Sequence, residues 1–121
     1  MPIDYNNNPI QRFTEVTQTV SISSGVLTLN LDNATTFLTT RNANITTLTI
    51  SNPNSSGTAH SFSLIFTANG TAYSMTWPTS VKWPSGSAPT LTSTNGKKDI
   101  LHFTTVDGGT NWYGFVGGLN Y

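Results

Sequence analysis

The chain has 121 residues, no net formal charge and no cysteine. That length suits one domain with one real core, and the missing cysteines exclude disulfide scaffolds, thiolate metal sites and cysteine nucleophiles. Only 8% of residues are charged, against about 25% in an ordinary domain, and Arg12, Arg41, Lys82, Lys97 and Lys98 form no basic stripe, so no nucleic-acid partner is expected.

Residues 1–14 read as an extended N-terminal arm. Asn6, Asn7, Asn8 and Pro9 are turn formers. Ile3, Tyr5, Ile10 and Phe13 are apolar without a period, which suits an arm whose side chains contact a partner. The start has no basic segment followed by an apolar core, so it does not read as a signal peptide. No apolar run approaches a membrane span.

Residues 15–121 read as one β-domain. Val16, Val20 and Ile22 begin the strand-like text, and Ser23-Ser24-Gly25 is a turn. Leu27, Leu29 and Leu31 then alternate with Thr28 and Asn30, the period of a half-buried strand. Short strands follow around Phe37 and over residues 45–50. Phe62, Leu64 and Phe66 alternate with Ser61, Ser63 and Ile65. Asn69-Gly70 suits a type I′ turn, which predicts a return strand carrying Tyr73, Met75 and Trp77. Residues 78–96 are a long loop punctuated by Pro78, Pro84, Gly86 and Pro89, with Trp83 inside it. A last hairpin pairs residues 99–106 with 111–116 through Asp107-Gly108-Gly109-Thr110. No helical period is visible.

Thr, Ser and Asn supply 22, 13 and 13 residues, and aromatics make up 11%. Disordered chains are poor in aromatics, and Thr fits a pleated sheet. The expected fold is all-β: a single antiparallel β-sandwich, jelly-roll-like, preceded by the arm.

The chemistry-bearing residues are few. His60 and His102 are the only bases for neutral pH, and no Gly-x-Ser-x-Gly elbow accompanies them. Asp32, Asp99 and Asp107 each sit where a turn or strand start gives a carboxylate a structural task. Asp107 to Asn111 offers too few oxygens for a calcium loop. The expectation is no catalytic residue, no metal and no cofactor. Trp83 and Tyr113 remain as candidate exposed binding aromatics, suited to sugar rings or a protein interface. Adjacent Trp112 and Tyr113 face opposite sides of one strand, which suggests an oligomer.

The text of residues 77–89 (Trp-Pro-Thr-Ser-Val-Lys-Trp-Pro-Ser-Gly-Ser-Ala-Pro) resembles a pattern found in tailed-bacteriophage virion proteins. Residues 99–103, 107–115 and 44–53 belong to the same pattern, so the resemblance covers roughly residues 15–121. Such modules occur at tail-fibre ends and as short free-standing proteins. The resemblance implies a non-enzymatic structural role and transfers no catalytic residue. With only the arm ahead of the module, it implies a capsid decoration (cement) or head-fibre protein on the virion exterior. Its partners would be the major capsid protein and further copies of itself, with a trimer favoured over a dimer. The alternatives are a tail-fibre adhesin reading host glycan and a tail or neck component.

Overall fold

The computed structural model describes residues 14–121. The arm positions Ile3, Tyr5, Ile10 and Phe13 lie outside the described residues.

Among the described residues the chain forms eight strands: β1 Thr17–Thr19, β2 Val26–Asn30, β3 Thr36–Arg41, β4 Thr47–Ser51, β5 His60–Ala68, β6 Val81–Lys82, β7 Lys98–Thr105 and β8 Trp112–Gly118. A single 3-10 turn, Pro84–Gly86, is the only helical element there. Six strands form one sheet in the order β1-β3-β5-β7-β8-β6, and β2 and β4 form a second.

The pairing is mixed, which corrects the antiparallel expectation. β1 with β3, β3 with β5, β2 with β4, and β6 with β8 are parallel. Only β5 with β7 and β7 with β8 are antiparallel. From Thr17 to Ala68 the chain therefore winds as a coil. It lays one strand in the large sheet, crosses to the small sheet, and returns beside its own earlier strand. The first crossing is made by a tight turn at Ser24 and Gly25, both with positive φ (49° and 79°). Ser23 and Val26 close it with two 2.9 Å backbone bonds. Gly25 also fits here for lack of a Cβ, which would lie 2.8 Å from Thr46 Oγ1 on the next turn of the coil.

The inward rows of both sheets share one core. Leu27, Leu29 and Leu48 meet Phe37, Phe62, Leu64, Phe66, Leu101, Phe103 and Trp112 in a single buried cluster. Strand alternation puts these residues inside and, on β5 and β7, turns Ser61, Ser63, His102 and Thr104 outside. Aromatic rings form its centre: Phe62 stacks on Phe103 at 4.9 Å and meets Trp112 edge-on at 5.1 Å. Val16, just ahead of the three-residue edge strand β1, is 64% exposed.

The return strand predicted after Asn69-Gly70 does not form. β5 already has β3 on one edge and β7 on the other, so no edge is free for residues 73–77. That segment instead crosses to the coil, where Ile45 and Met75 make an isolated parallel bridge. The long connection, read from the sequence as a loop over residues 78–96, passes Trp77, joins the edge of the large sheet briefly as β6 beside β8, and after Trp83 and the 3-10 turn returns to the sheet as β7. The last hairpin forms as expected, with Thr104 opposite Tyr113 and His102 opposite Phe115.

One buried polar group ties the long connection down. Arg41 and Asp99 are 3% and 1% exposed. Arg41 Nη1 donates to the Thr92 carbonyl at 3.0 Å and Nη2 to the Tyr73 carbonyl. Asp99 accepts the Thr92 N–H at 2.7 Å and the Asn120 N–H at 3.0 Å. Burial pushes the guanidinium below its ordinary pKa, and the Asp99 carboxylate pulls it back up. Arginine stays protonated at any accessible pH.

Candidate functional site

The outer face of the large sheet spans six strands. Its middle row runs across five strands: Thr17, Thr36, Ser63, His102 and Phe115 are successive cross-strand neighbours. The row beside it carries Ser61, Thr104, Tyr113 and Lys82. The row on the other side carries Thr19, Leu38, Ile65 and Ile100.

Side chains on this face bond to one another across the strands. Ser61 and Thr104 share a hydrogen bond of 2.8 Å, and Ser63 Oγ and His102 Nδ1 share one of 2.7 Å. The His102 ring lies 5.2 Å from that of Phe115. Its other nitrogen faces Gly117, where a Cβ would approach Nε2 to 2.6 Å. Thr36 donates to Glu15 at 3.3 Å. Together Glu15, Ser61, Ser63, His102, Thr104 and Phe115 line a shallow groove of about 260 Å³. Small-molecule sites are typically roughly 300–1,000 Å³ and enclose most of their ligand. A groove of this size on an open sheet suits contact with a surface.

Ser63 and His102 have the contact of a nucleophile and its base. A working pair also needs a group that orients the base. Among the described residues Glu15 bonds to Thr36, Asp99 to Thr92 and Asn120, and Asp107 to Thr105 and Asn111, and no carboxylate, Asp32 included, hydrogen-bonds to His102. No group of three or more His, Asp or Glu side chains among the described residues could hold a metal ion. Nor is any helix there long and apolar enough to cross a membrane. His60 is turned to structure, its Nδ1 accepting the Asn54 N–H at 2.9 Å.

The two candidate aromatics separate. Tyr113 is 49% exposed on the outer face, and Phe115 beside it is equally exposed. Trp83 is half-buried on the core side, contrary to its expected display. It meets Trp77 at 4.9 Å and Phe103 at 5.6 Å, both edge-on. Gly114 leaves room for it, since a Cβ there would lie 2.9 Å from the indole. The Trp83 Nε1–H is buried without an acceptor among the described residues. Trp83→Ala is therefore expected to cost about 2–3 kcal/mol in chemical denaturation, below the full loss of a buried Trp. Trp83→Phe, which keeps a ring and removes the orphan donor, is expected to stay within about 1 kcal/mol of wild type. A Trp83→Ala variant with unchanged stability would contradict the packing role.

The Asp107 loop is a further fixed feature. Asp107 Oδ1 accepts the Asn111 backbone N–H at 2.9 Å, and Oδ2 accepts the Asn111 side-chain amide at 2.9 Å. Thr105 Oγ1 donates to Oδ1 at 2.9 Å. The Asn111 backbone bond, then its side-chain bond, holds the carboxyl below its ordinary value of 3.8, with Thr105 adding to the effect. A depressed folded value means a contribution present above the unfolded pKa and lost as pH falls through the folded one. An NMR titration of the Asp107 carboxyl is expected to show a midpoint below 3.8 that rises toward it in Asn111→Ala. A midpoint at the ordinary value in wild type would contradict these bonds.

The chain matches no protein-family model, no curated protein and no solved structure.

Proposed function

We propose that this chain is a non-enzymatic structural protein of a tailed-phage particle. In this reading it is a capsid decoration (cement) protein that docks on the shell exterior and bridges neighbouring copies of the major capsid protein. The observation that carries the docking mode is the outer sheet face. It is broad, crossed by hydroxyl rows and edged by the half-exposed rings of Tyr113 and Phe115. Such a face recognises a partner by shape, hydrogen bonds and apolar contact, with little help from long-range charge. The phage assignment rests on the sequence resemblance. The two sheets around one core support a sandwich-like layering, built with mixed pairing rather than a jelly roll's antiparallel strands. Ile3, Tyr5, Ile10 and Phe13 of the arm supply a second contact, so that one copy touches two shell subunits. Separating those subunits then requires breaking both contacts.

The exposed Tyr113 ring favours one second reading, an adhesin that stacks a host sugar on that ring. Trp83 has no part in it, being packed inward.

Adding purified protein to particles that lack it tests the docking face. Wild type should bind saturably. Thr104→Glu, which sets an unpaired charge at the centre of the face, should bind about tenfold or more weakly while keeping its fold. Deleting residues 1–13 should weaken binding in the same assay. Full binding by Thr104→Glu would remove the outer face from the account. Wild-type retention on host glycan in place of particles would favour the adhesin.

A further inference from the structure

We propose that Asn69 is a self-modification site: the Gly70 backbone nitrogen attacks its side-chain amide, leaving aspartate or isoaspartate just past the end of β5.

The sequence holds two Asn-Gly pairs, Asn69-Gly70 and Asn95-Gly96. Such pairs are the most open to this chemistry, because glycine sets no side chain beside the attacking nitrogen. The fold brings the two pairs together: a Cβ on Gly70 would lie 3.6 Å from the Asn95 Cβ. Their backbones are nevertheless held in opposite ways.

Asn95-Gly96 is pinned. The Lys97 N–H donates to the Thr94 carbonyl at 3.1 Å and closes a turn around the pair. Gly96, with φ 80°, takes the position in that turn that calls for positive φ. Its N–H donates to the Ala68 carbonyl at 2.9 Å. The nitrogen that would attack Asn95 is therefore held in a hydrogen bond, and the turn must open locally before it can move.

Asn69-Gly70 is unpinned and poised. With no hairpin closed at this pair, both residues are exposed. Among the described residues no hydrogen bond meets the Gly70 N–H. Asn69 Oδ1 accepts the Thr71 N–H at 3.3 Å, an Asx turn. That bond folds the side chain back over the Gly70 peptide and brings Cγ toward the Gly70 nitrogen. It also aims a donor at the oxygen on which negative charge develops during attack.

The step balances with water as the sole co-reactant. The Gly70 nitrogen bonds to Asn69 Cγ and gives up its proton, the Cγ–Nδ2 bond breaks, and ammonia leaves with that proton. Water then opens the five-membered succinimide. Opening at Cγ gives aspartate. Opening at the main-chain carbonyl gives isoaspartate and routes the backbone through the former side chain. Either product gives a chain of zero net formal charge a new carboxylate. The inference concerns the chain itself and does not depend on which surface the outer face docks on.

The test incubates the purified full chain in neutral buffer made with heavy-oxygen water and follows both Asn-Gly pairs by peptide mass spectrometry. The heavy oxygen marks conversion that took place before digestion. In the folded chain Asn69 is expected to convert about tenfold or more faster than Asn95, whose attacking N–H must first break its bond. Both aspartate and isoaspartate are expected at residue 69. In urea, where neither arrangement persists, the two rates should come together. An Asn69 that keeps its amide, or an Asn95 that converts as fast in the folded chain, would overturn the proposal. So would aspartate alone at residue 69, the mark of direct hydrolysis, or a rate difference that urea leaves unchanged.

Discussion

Trp112→Ala is expected to destabilise the domain by about 3–5 kcal/mol, the usual cost of removing a buried Trp. Trp112 is 2% exposed. Its ring meets Phe62 edge-on at 5.1 Å, and Phe62 in turn meets Phe37 at 5.9 Å and Phe103 at 4.9 Å. One ring thus connects β8 to the centre of the core and to strands on both sides of it. Above the ring, Gly109 leaves a space in which a Cβ would sit 3.2 Å from the indole Nε1. The loop that closes the last hairpin is therefore shaped against the same side chain and has little freedom to collapse into the cavity. Small domains hold only about 5–15 kcal/mol in all. The variant should lose much of its margin, with a melting temperature lower by on the order of 10 °C or more. Urea unfolding measures the loss directly. A loss under about 1 kcal/mol would mean the core does not close on this ring.

Asp99→Ala is expected to cost a similar amount, about 3–5 kcal/mol, for a different reason. The aspartate is a small part of the packing but holds three things at once. It is the counter-charge to buried Arg41, the acceptor for the Thr92 N–H, and the acceptor for the Asn120 N–H. Truncation leaves two part-buried amide donors without their acceptor and the buried Arg41, still bonded to the Thr92 and Tyr73 carbonyls, without its nearby negative charge. Thr92 makes the group cooperative, since its carbonyl accepts from Arg41 while its N–H goes to Asp99. Asp99→Asn, which keeps one acceptor oxygen and loses the charge, should fall between wild type and Asp99→Ala. A double-mutant cycle with Arg41→Met should recover part of the loss, because it removes the stranded cation along with its partner. If Asp99→Ala is as stable as wild type, the group does not anchor the long connection.

The sequence reveals the elements of this fold better than their partners. Leu27, Leu29 and Leu31 alternate strictly, and all three are buried. The Asp107 turn announces its hairpin because the carboxylate bonds within the turn itself. Both signals are local. The hairpin expected at Asn69-Gly70 fails because the deciding fact is not local: β5 is flanked by β3 and β7. The alternation of Tyr73, Met75 and Trp77 reflects a loop laid on the core, with Met75 and Trp77 packed against it. The parallel coil is hidden for a related reason. Thr36 pairs with Thr17 before it and Ser63 after it, at unequal spacings, so no repeat shows in the text.

The site was partly legible on the same terms. Tyr113 is exposed, and its outward facing follows from Trp112 facing in. Trp83 reads as a loop residue and therefore as displayed, yet the absence of a side chain at Gly114 draws it inward. Ser63 and His102 each read as outward positions. Their contact depends on the register of β5 against β7, which brings together residues far apart in the chain. Nothing near either residue signals it.

The central claim is a location and a stoichiometry, and quantitative mass spectrometry of purified virions reads both. The account predicts that this chain is present in a fixed, whole-number proportion to the major capsid protein. A copy number far below the shell subunit, matched instead to a tail, neck or single-vertex component, would contradict the decoration role and turn attention to the exposed Tyr113 ring and host glycan.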